Sequence, residues 1–177
     1  IDQLAVRPPR EVQLDCDSTD TTRDRYFRLL TAVRDRLPPE TVLSVTIRLH
    51  QFRYPERTGV PPADRGMLMC YNVGELESWE EENSILTPAA ARPYFAEAPA
   101  YPLPLDLALP VFRWGIVYRQ GRLVRLINEL GPEALADTSR FVKLAANRFL
   151  VSKSTYLDGY YLYQGDRIRT EAIDPAT

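Results

Sequence analysis

Between residues 11 and 49 the sequence alternates strand, helix and strand with short joints, and this order restricts the fold more than any other feature. Residues 11–17 (EVQLDCD) alternate apolar and polar side chains, and residues 41–49 (TVLSVTIRL) are rich in β-branched residues, as strands are. Between them, residues 23–37 repeat apolar side chains at helical spacing until two prolines end the helix. Such strand–helix–strand units are built on parallel sheets with right-handed crossovers. The sequence therefore predicts an α/β fold.

Two further strands of the same sheet are predicted after a long loop at residues 50–66. Residues 67–73 (MLMCYNV) form a nearly continuous apolar run, as expected of a strand covered on both faces, and residues 105–109 give a fourth strand. Two β-like runs then flank Gln120 and Gly121, which predicts an inserted antiparallel β-hairpin over residues 112–127. The other predicted elements are a short helix at 88–91 interrupted near Pro93, a mostly helical stretch at 132–147, and strands at 149–155 and 167–173 joined by a tyrosine-rich turn.

The overall composition excludes several classes of function. With 45% hydrophobic and 26% charged residues the chain has the composition of a globular domain. Its 22 Lys and Arg stand against 24 Asp and Glu, so nucleic acid is not an expected partner. No apolar run reaches the ~20 residues of a membrane-spanning helix. Cys16, Cys70 and His50 lack metal-ligand spacing and no glycine-rich phosphate loop occurs, so we predict no metal and no cofactor.

Asp15 and Asp17 are the candidate catalytic residues. Both lie at the end of the first predicted strand and on the same face of it, because side chains two positions apart in a strand point the same way. In parallel α/β folds the ligand lies beyond the carboxyl ends of the strands. Two neighbouring carboxyl groups there can serve as an acid beside a base. The equally weighted alternative is structural: Asp17 caps the following helix and Asp15 accepts hydrogen bonds from backbone amides.

The candidate substrate-binding residues lie at or after the ends of the second, third and fourth predicted strands: Arg48, Tyr71, Asn72, Arg113 and Trp114. A phenol and an amide suit a hydroxyl-rich ligand, because they donate and accept hydrogen bonds without adding charge. The face of Trp114 offers an apolar surface on which a sugar ring can stack. Two structural alternatives stay open: Arg48 forms an ion pair with Asp17, and Trp114 packs within the hairpin.

Three short motifs carry a resemblance to a known family. The runs LDCDST (14–19), MCYN (69–72) and LALP (107–110) occur in the same order as the Asp-x-Asp-x-Glu, Met-x-Tyr-Asp and Leu-x-x-Pro patterns of the chitinase-like (β/α)8-barrel glycoside hydrolases. The chain resembles that superfamily. The runs VQLDCDST, LPVFRWG and GDRIRTEAI are also similar to a bacterial family of unassigned activity with a predicted barrel fold, found as envelope or secreted proteins. The likeness covers most of the chain.

The resemblance implies the C-terminal half of a TIM-type (β/α)8 barrel, with four to five parallel strands and an inserted hairpin, in a single partial-barrel domain over residues 1–177. The chain begins with Ile1 rather than Met, so we expect upstream sequence to have been removed, and a missing N-terminal half-barrel or an oligomeric partner would cover the open sheet edges. It further implies a carbohydrate ligand and an extracytoplasmic location.

The motifs also depart from the family pattern, which leaves two functions open. Thr19 stands where the family has its acid Glu, and Asn72 stands where it has Asp. A glycosidase normally needs two carboxyl groups flanking the scissile bond. The first hypothesis is a glycosidase (an O-glycosyl hydrolase) or sugar-binding barrel with Asp15 and Asp17 at its centre. The second is a non-catalytic module derived from the barrel that binds a partner protein or a glycan in the cell envelope.

Overall fold

The computed structural model describes residues 9–96 and 98–173, and its contacts divide the chain into two units. Unit 1 comprises the described residues up to Cys70 together with Ala91–Leu109, and unit 2 comprises Tyr71–Ala90 and the described residues from Pro110 onward. Each unit has its own sheet. In the described ranges, no helix is both long enough and apolar enough to cross a lipid bilayer. That the chain forms a single partial-barrel domain stays a prediction.

Unit 1 contains a four-stranded parallel sheet in the order β1-β2-β3-β4, as its strands follow one another in the chain. This confirms the predicted α/β class with a parallel sheet. Its strands are β1 (Glu11–Leu14), β2 (Val42–Arg48), β3 (Arg65–Met69) and β4 (Leu105–Ala108). The helices of unit 1 are α1 (Arg23–Arg34), α2 (Leu49–Arg53) and α3 (Pro55–Thr58), and the residues of α4 (Pro88–Phe95) are divided between the two units.

The central strand β2 shows why this sequence forms a sheet with two different faces. Leu43, Val45 and Ile47 alternate along the strand and are fully buried. The intervening positions carry Thr46 and Arg48, which are only partly buried. Because alternate side chains of a strand point to opposite faces, one face is apolar and the other carries polar groups towards the strand ends. The polar face therefore supplies the side chains of the candidate site.

Several predicted boundaries in the helical parts are corrected by the structure. The first helix ends at Arg34 rather than residue 37, four residues before Pro38. The predicted loop at 50–66 contains two short helices, α2 and α3. Pro93 lies inside α4 rather than interrupting it, although the helix ends two residues later at Phe95. These differences are confined to helix ends and loops, where the sequence signals are weakest.

Unit 2 contains a five-stranded antiparallel sheet in the order β6-β5-β11-β8-β7, and a separate two-stranded hairpin of β9 and β10. Positive φ angles at Gln120 and Gly121 fit the tight turn between β5 and β6, so the predicted hairpin is confirmed. The strands are β5 (Arg113–Arg119), β6 (Arg122–Asn128), β7 (Phe141–Ala145), β8 (Arg148–Val151), β9 (Thr155–Leu157), β10 (Tyr160–Leu162) and β11 (Arg167–Ala172).

The prediction of a mostly helical stretch at residues 132–147 is wrong. Only a single 3-10 turn forms, at Pro132–Leu135, and β7 follows it as an edge strand paired with β8. Phe141 at the start of β7 is buried in the core of unit 2, together with Val151 and Ile168. Pairing with β8 and burial of Phe141 outweigh the helical propensity of residues such as Leu144 and Ala145.

Candidate functional site

The predicted catalytic pair lies at the carboxyl end of β1, next to the end of β2. Leu14 pairs with Val45 in the parallel register, so the following positions place Asp15 beside Thr46 and Asp17 beside Arg48. The hydroxyl of Thr46 donates a hydrogen bond to the Oδ1 of Asp15 over 2.9 Å. Nε of Arg48 lies 3.3 Å from Oδ1 of Asp17. The structure thus brings both acids and Arg48 to one edge of the parallel sheet.

These contacts bear on the structural alternatives that the sequence left open for Arg48 and Asp17. Arg48 does form the ion pair with Asp17. The residue that precedes helix α1 is Thr22, and no side chain caps the helix there, so Asp17 is not its cap. Both acids are exposed to solvent. Their carboxylates therefore balance neighbouring polar groups at the rim of the sheet.

Arg48 ties the loop after β1 to the helix after β2. Its Nη2 donates a hydrogen bond of 2.7 Å to the carbonyl of Ser18. Its backbone N–H donates to Oε1 of Gln51 over 2.9 Å, and Nε2 of Gln51 lies 3.5 Å from Oγ of Ser18. Nε of Arg48 is buried and makes no hydrogen bond to a described residue, so its contact with Asp17 is one of charge alone. Because the Arg48 side chain is 34% exposed, the exposed part of its guanidinium can bind a further acceptor.

A cavity of about 430 Å³ opens at this edge of the sheet. Its lining residues lie at or after the carboxyl ends of β1 and β2. Their side chains carry hydroxyl, amide, imidazole, guanidinium or carboxylate groups. We call it the loop cavity, and its lining residues are Ser18, Thr19, Asp20, Thr21, Arg48, His50, Gln51 and Thr58. A cavity beyond the carboxyl ends of parallel strands has the position that ligands take in α/β folds.

His50 contributes an imidazole to the loop cavity. Partial burial lowers its pKa from the ordinary value of 6.5, and the positive charges of Arg48 and Arg57 lower it further, against the opposing effect of Asp17 and Asp20. The ring is consequently neutral at pH 7, so one ring nitrogen can donate and the other can accept a hydrogen bond. A neutral imidazole is suited to a neutral polar ligand.

The loop cavity contains residues that the sequence did not single out, and it omits both predicted catalytic residues. Ser18, Gln51 and Thr58 line it, whereas Asp15 and Asp17 do not. The position of Gln51, three residues after Arg48 and bonded to the backbone N–H of Arg48, is the pattern of a helix start that could have indicated it.

The other predicted binding residues lie in unit 2, where three of them pack together or against their neighbours. The rings of Tyr71 and Phe112 meet edge to face with centroids 6.0 Å apart, and Phe112 lies 5.2 Å from Trp114. Nε1 of Trp114 donates a hydrogen bond of 2.7 Å to Glu171. Trp114 therefore packs within unit 2, as the structural alternative had it. Asn72 is exposed and has a positive φ of 56°.

Arg113 is held by two carboxylates and lines a second, smaller cavity. Its Nη1 lies 2.6 Å from Oε1 of Glu133, and its Nε lies 3.8 Å from Oε2 of Glu129. The second cavity measures about 270 Å³. The side chain of Glu171 also lines it, and this fully buried acid was not singled out from the sequence. Arg113 is thus engaged within unit 2 by an ion pair of its own.

Trp79 packs against its neighbours in unit 2. The guanidinium of Arg167 lies 3.8 Å from the centroid of its indole, and Tyr118 meets it edge to face at 5.4 Å. These contacts occupy the ring. Among the described residues there is also no cluster of three or more His, Cys, Asp or Glu side chains that could hold a metal ion. Cys16 is exposed, Cys70 is buried, and both are free thiols.

Comparisons with known proteins identify the fold. No protein-family model and no curated protein sequence matches the chain. Among solved structures, the protein assigned as the sporulation-specific glycosylase ydhD of Bacillus subtilis aligns with a TM-score of 0.51 and 16% identity, over 93% of this chain and 57% of that one. At 16% identity this likeness is one of fold alone. It confirms the resemblance in fold that the sequence motifs indicated.

Two further solved structures align less closely. The spore cortex-lytic enzyme SleL of Bacillus cereus gives a TM-score of 0.48 and 17% identity, over 94% of this chain and 40% of that one. The chitinase domain of the spore coat protein CotE of Clostridium difficile gives a TM-score of 0.40 and 18% identity, over 86% of this chain and 50% of that one. The chain thus spans about half the length of the solved structures it matches.

Proposed function

We propose that this chain is the C-terminal half of a TIM-type (β/α)8 barrel and that it binds a carbohydrate in the loop cavity. The strand order supports the barrel. The four parallel strands lie side by side in chain order, as in a (β/α)8 barrel, whereas a doubly wound sheet reverses its order at a switch point. The other strands would come from an N-terminal half-barrel or an oligomeric partner.

The position and chemistry of the loop cavity carry the proposal. The cavity lies at the carboxyl ends of β1 and β2. It combines two kinds of neutral donor and acceptor, the hydroxyls of Ser18 and Thr58 and the amide of Gln51, with the guanidinium of Arg48. Sugars present several hydroxyl groups that each donate and accept, so a wall of such groups satisfies them without requiring a charge on the ligand.

The composition of this wall favours binding over hydrolysis. Thr19, which occupies the position of the family's acid, lines the cavity and has no proton to give at neutral pH. Asp20 supplies the only carboxylate among the described lining residues, whereas hydrolysis normally uses two. We therefore favour the non-catalytic hypothesis. The roles of Asp15 and Asp17 as catalytic residues stay a prediction, as does a location in the cell envelope.

The binding proposal is tested by titrating the protein with chitotetraose, a soluble neutral oligosaccharide, and following ¹H–¹⁵N NMR shifts. We expect saturable shifts at residues around the loop cavity. Arg48→Gln removes the charged donor and should weaken binding about tenfold, the usual loss for one charge-assisted hydrogen bond. Arg65→Gln is the matched control, because Arg65 is similarly exposed and also pairs with an acid, Asp106, but does not line the cavity.

Equal binding by both variants, or no shift in the parent protein, would contradict the proposal. Hydrolysis is checked separately with a panel of aryl glycosides. We expect no turnover by the parent protein. If turnover occurs and Asp17→Asn abolishes it, then the glycosidase hypothesis replaces the binding one.

A further inference from the structure

Three tyrosines form a row on the outward face of the β9–β10 hairpin in unit 2. Tyr156 and Tyr161 stand directly opposite each other in the antiparallel register, and Tyr163 follows on the same face. Their exposed fractions are 67%, 45% and 51%. Leu157 and Leu162, on the other face, are buried in the core of unit 2. We call the row Tyr156, Tyr161 and Tyr163 the tyrosine ladder.

The rings of the tyrosine ladder make a continuous aromatic surface. The centroids of Tyr156 and Tyr161 are 4.9 Å apart, and those of Tyr161 and Tyr163 are 5.0 Å apart. Both pairs meet edge to face, the favoured geometry for aromatic rings, so the ladder alternates faces and edges. No hydrogen bond joins any of the three hydroxyls to another described residue. These hydroxyls are available to a ligand.

The base of the hairpin is fixed by a buried carboxylate. Asp166, only 1% exposed, accepts hydrogen bonds of 2.8 Å from both Nε and Nη2 of Arg119 and another of 2.8 Å from the backbone N–H of Tyr163. The guanidinium of Arg119 also stacks on the Tyr163 ring at 4.2 Å. The ladder is therefore held in place before any ligand arrives, which lowers the entropy cost of binding.

We propose that the tyrosine ladder is a binding surface for a neutral polysaccharide chain. A sugar ring has an apolar C–H face and a rim of hydroxyls, and tyrosine offers the same combination of an apolar body and a polar tip. The charges beside the ladder fit a neutral ligand, because Arg119 is neutralised by Asp166. This inference rests on the proposed carbohydrate function and adds a second contact surface, in unit 2, to the loop cavity of unit 1.

A glycan suits this surface better than a protein partner does. A stable protein interface buries about 800 Å² on each side around an apolar centre. The hairpin is a ribbon of two three-residue strands whose exposed rings all belong to tyrosines, while its leucines point inward. A narrow row of amphipathic rings matches a single extended polymer chain. If the ladder bound a protein instead, the triple variant would be retained on chitin like the parent.

The test measures retention of the purified chain on colloidal chitin, an insoluble neutral polysaccharide. Replacing all three tyrosines by alanine should lower retention about tenfold or more, because the stacking surface is removed. The control is Val142→Ala with Leu144→Ala, which removes two similarly exposed side chains from β7 of the same unit. This control should bind like the parent. Circular dichroism establishes that each variant is folded.

Three further variants separate the possible causes of lost retention. Tyr161→Phe preserves the ring and should keep most of the retention on chitin. Tyr161→Ala alone should lower this retention several-fold. Arg48→Gln should impair chitotetraose binding and leave retention on chitin in place, so failure of the loop cavity and failure of the ladder are distinguishable. Retention of the triple variant equal to the parent's, or a parent that chitin does not retain, overturns the inference.

Discussion

The two units place an arginine–carboxylate pair at very different depths. In unit 1, the side chains of Arg48 and Asp17 are 34% and 70% exposed. In unit 2, the side chains of Arg169 and Glu171 are both 0% exposed, and Nε of Arg169 lies 2.7 Å from Oε1 of Glu171. The first pair is at the end of a strand beside a cavity, whereas the second is on a central strand and covered by other parts of its own unit.

The buried pair in unit 2 uses nearly all of its hydrogen-bonding capacity internally. Oε2 of Glu171 accepts from the hydroxyl of Ser84 over 2.6 Å and from Nε1 of Trp114 over 2.7 Å. Arg169 also donates from Nη1 to the carbonyl of Ser78, and only its Nη2 lacks a partner among the described residues. The pair thereby fixes the segment around residues 78–84 onto the sheet.

The difference in burial between the two pairs indicates which of them can bind a ligand. A charge that is buried and bonded almost entirely within its own unit stabilises one arrangement of the chain and offers little to a ligand. A partly exposed guanidinium, such as that of Arg48, can exchange water for a ligand at lower cost. The pair in unit 1 is accordingly suited to binding, and the pair in unit 2 to structure.

The largest effect is expected from Glu171→Gln, which keeps the shape of the side chain but leaves the charge of Arg169 uncompensated. Breaking a buried pair in this way should lower the free energy of unfolding by about 3 to 5 kcal/mol. Both tryptophans of the chain, Trp79 and Trp114, belong to unit 2, so tryptophan fluorescence during urea unfolding reports on this unit.

A double-mutant cycle with Arg169→Met sharpens this measurement. If the two side chains act as a pair, then the double variant should be less destabilised than the sum of the two single variants. Additive losses would mean that Glu171 matters through Ser84 and Trp114 rather than through Arg169.

A much smaller effect is expected from Asp17→Asn in unit 1. Exposed ion pairs contribute about 0.2 to 1 kcal/mol, and this contact has no hydrogen-bond geometry. Cys70 is buried in unit 1, so the urea dependence of its labelling by a thiol reagent reports on the unfolding of this unit, with exposed Cys16 as the rapidly labelled reference. A loss as large as that of Glu171→Gln would remove the contrast between the two pairs.

Much of the sheet architecture was predictable because it depends on local periodicity. The β-branched run of β2 and the Gln120-Gly121 turn each specify their element within a few residues. The stretch at 132–147 was not predictable in this way, because β7 depends on its pairing with β8 rather than on its own propensity. The hairpin of β9 and β10 lies in a segment read as a turn, since strands of three residues are too short to show alternation.

The candidate site was predictable only to the extent that strand ends define it. That Asp15, Asp17 and Arg48 meet at one edge follows from the parallel register of β1 and β2. The contribution of Thr58 to the loop cavity depends on two short helices within a predicted loop, and these helices were not predicted from the sequence. Glu171 was missed for a different reason, because an acid in a strand is normally solvent-facing and its burial requires Arg169 as a partner.

The smallest effect concerns His50 and tests whether the loop cavity holds a neutral ring. Its pKa is lowered in the folded state by burial first and by Arg48 and Arg57 next, while the unfolded value stays near 6.5. Below that value the unfolded chain binds more protons than the folded one, so stability rises with pH. The stability that the neutral His50 contributes is complete above about pH 6.5 and is lost as pH falls towards the lowered pKa. His50→Asn should flatten this dependence between about pH 5 and about pH 7, measured by the urea midpoint of Cys70 labelling. The shift is small because solvent screens a partly exposed ring. A variant with an unchanged slope would mean that His50 is protonated equally in both states, and the neutral donor–acceptor role of this ring in the cavity would have to be abandoned.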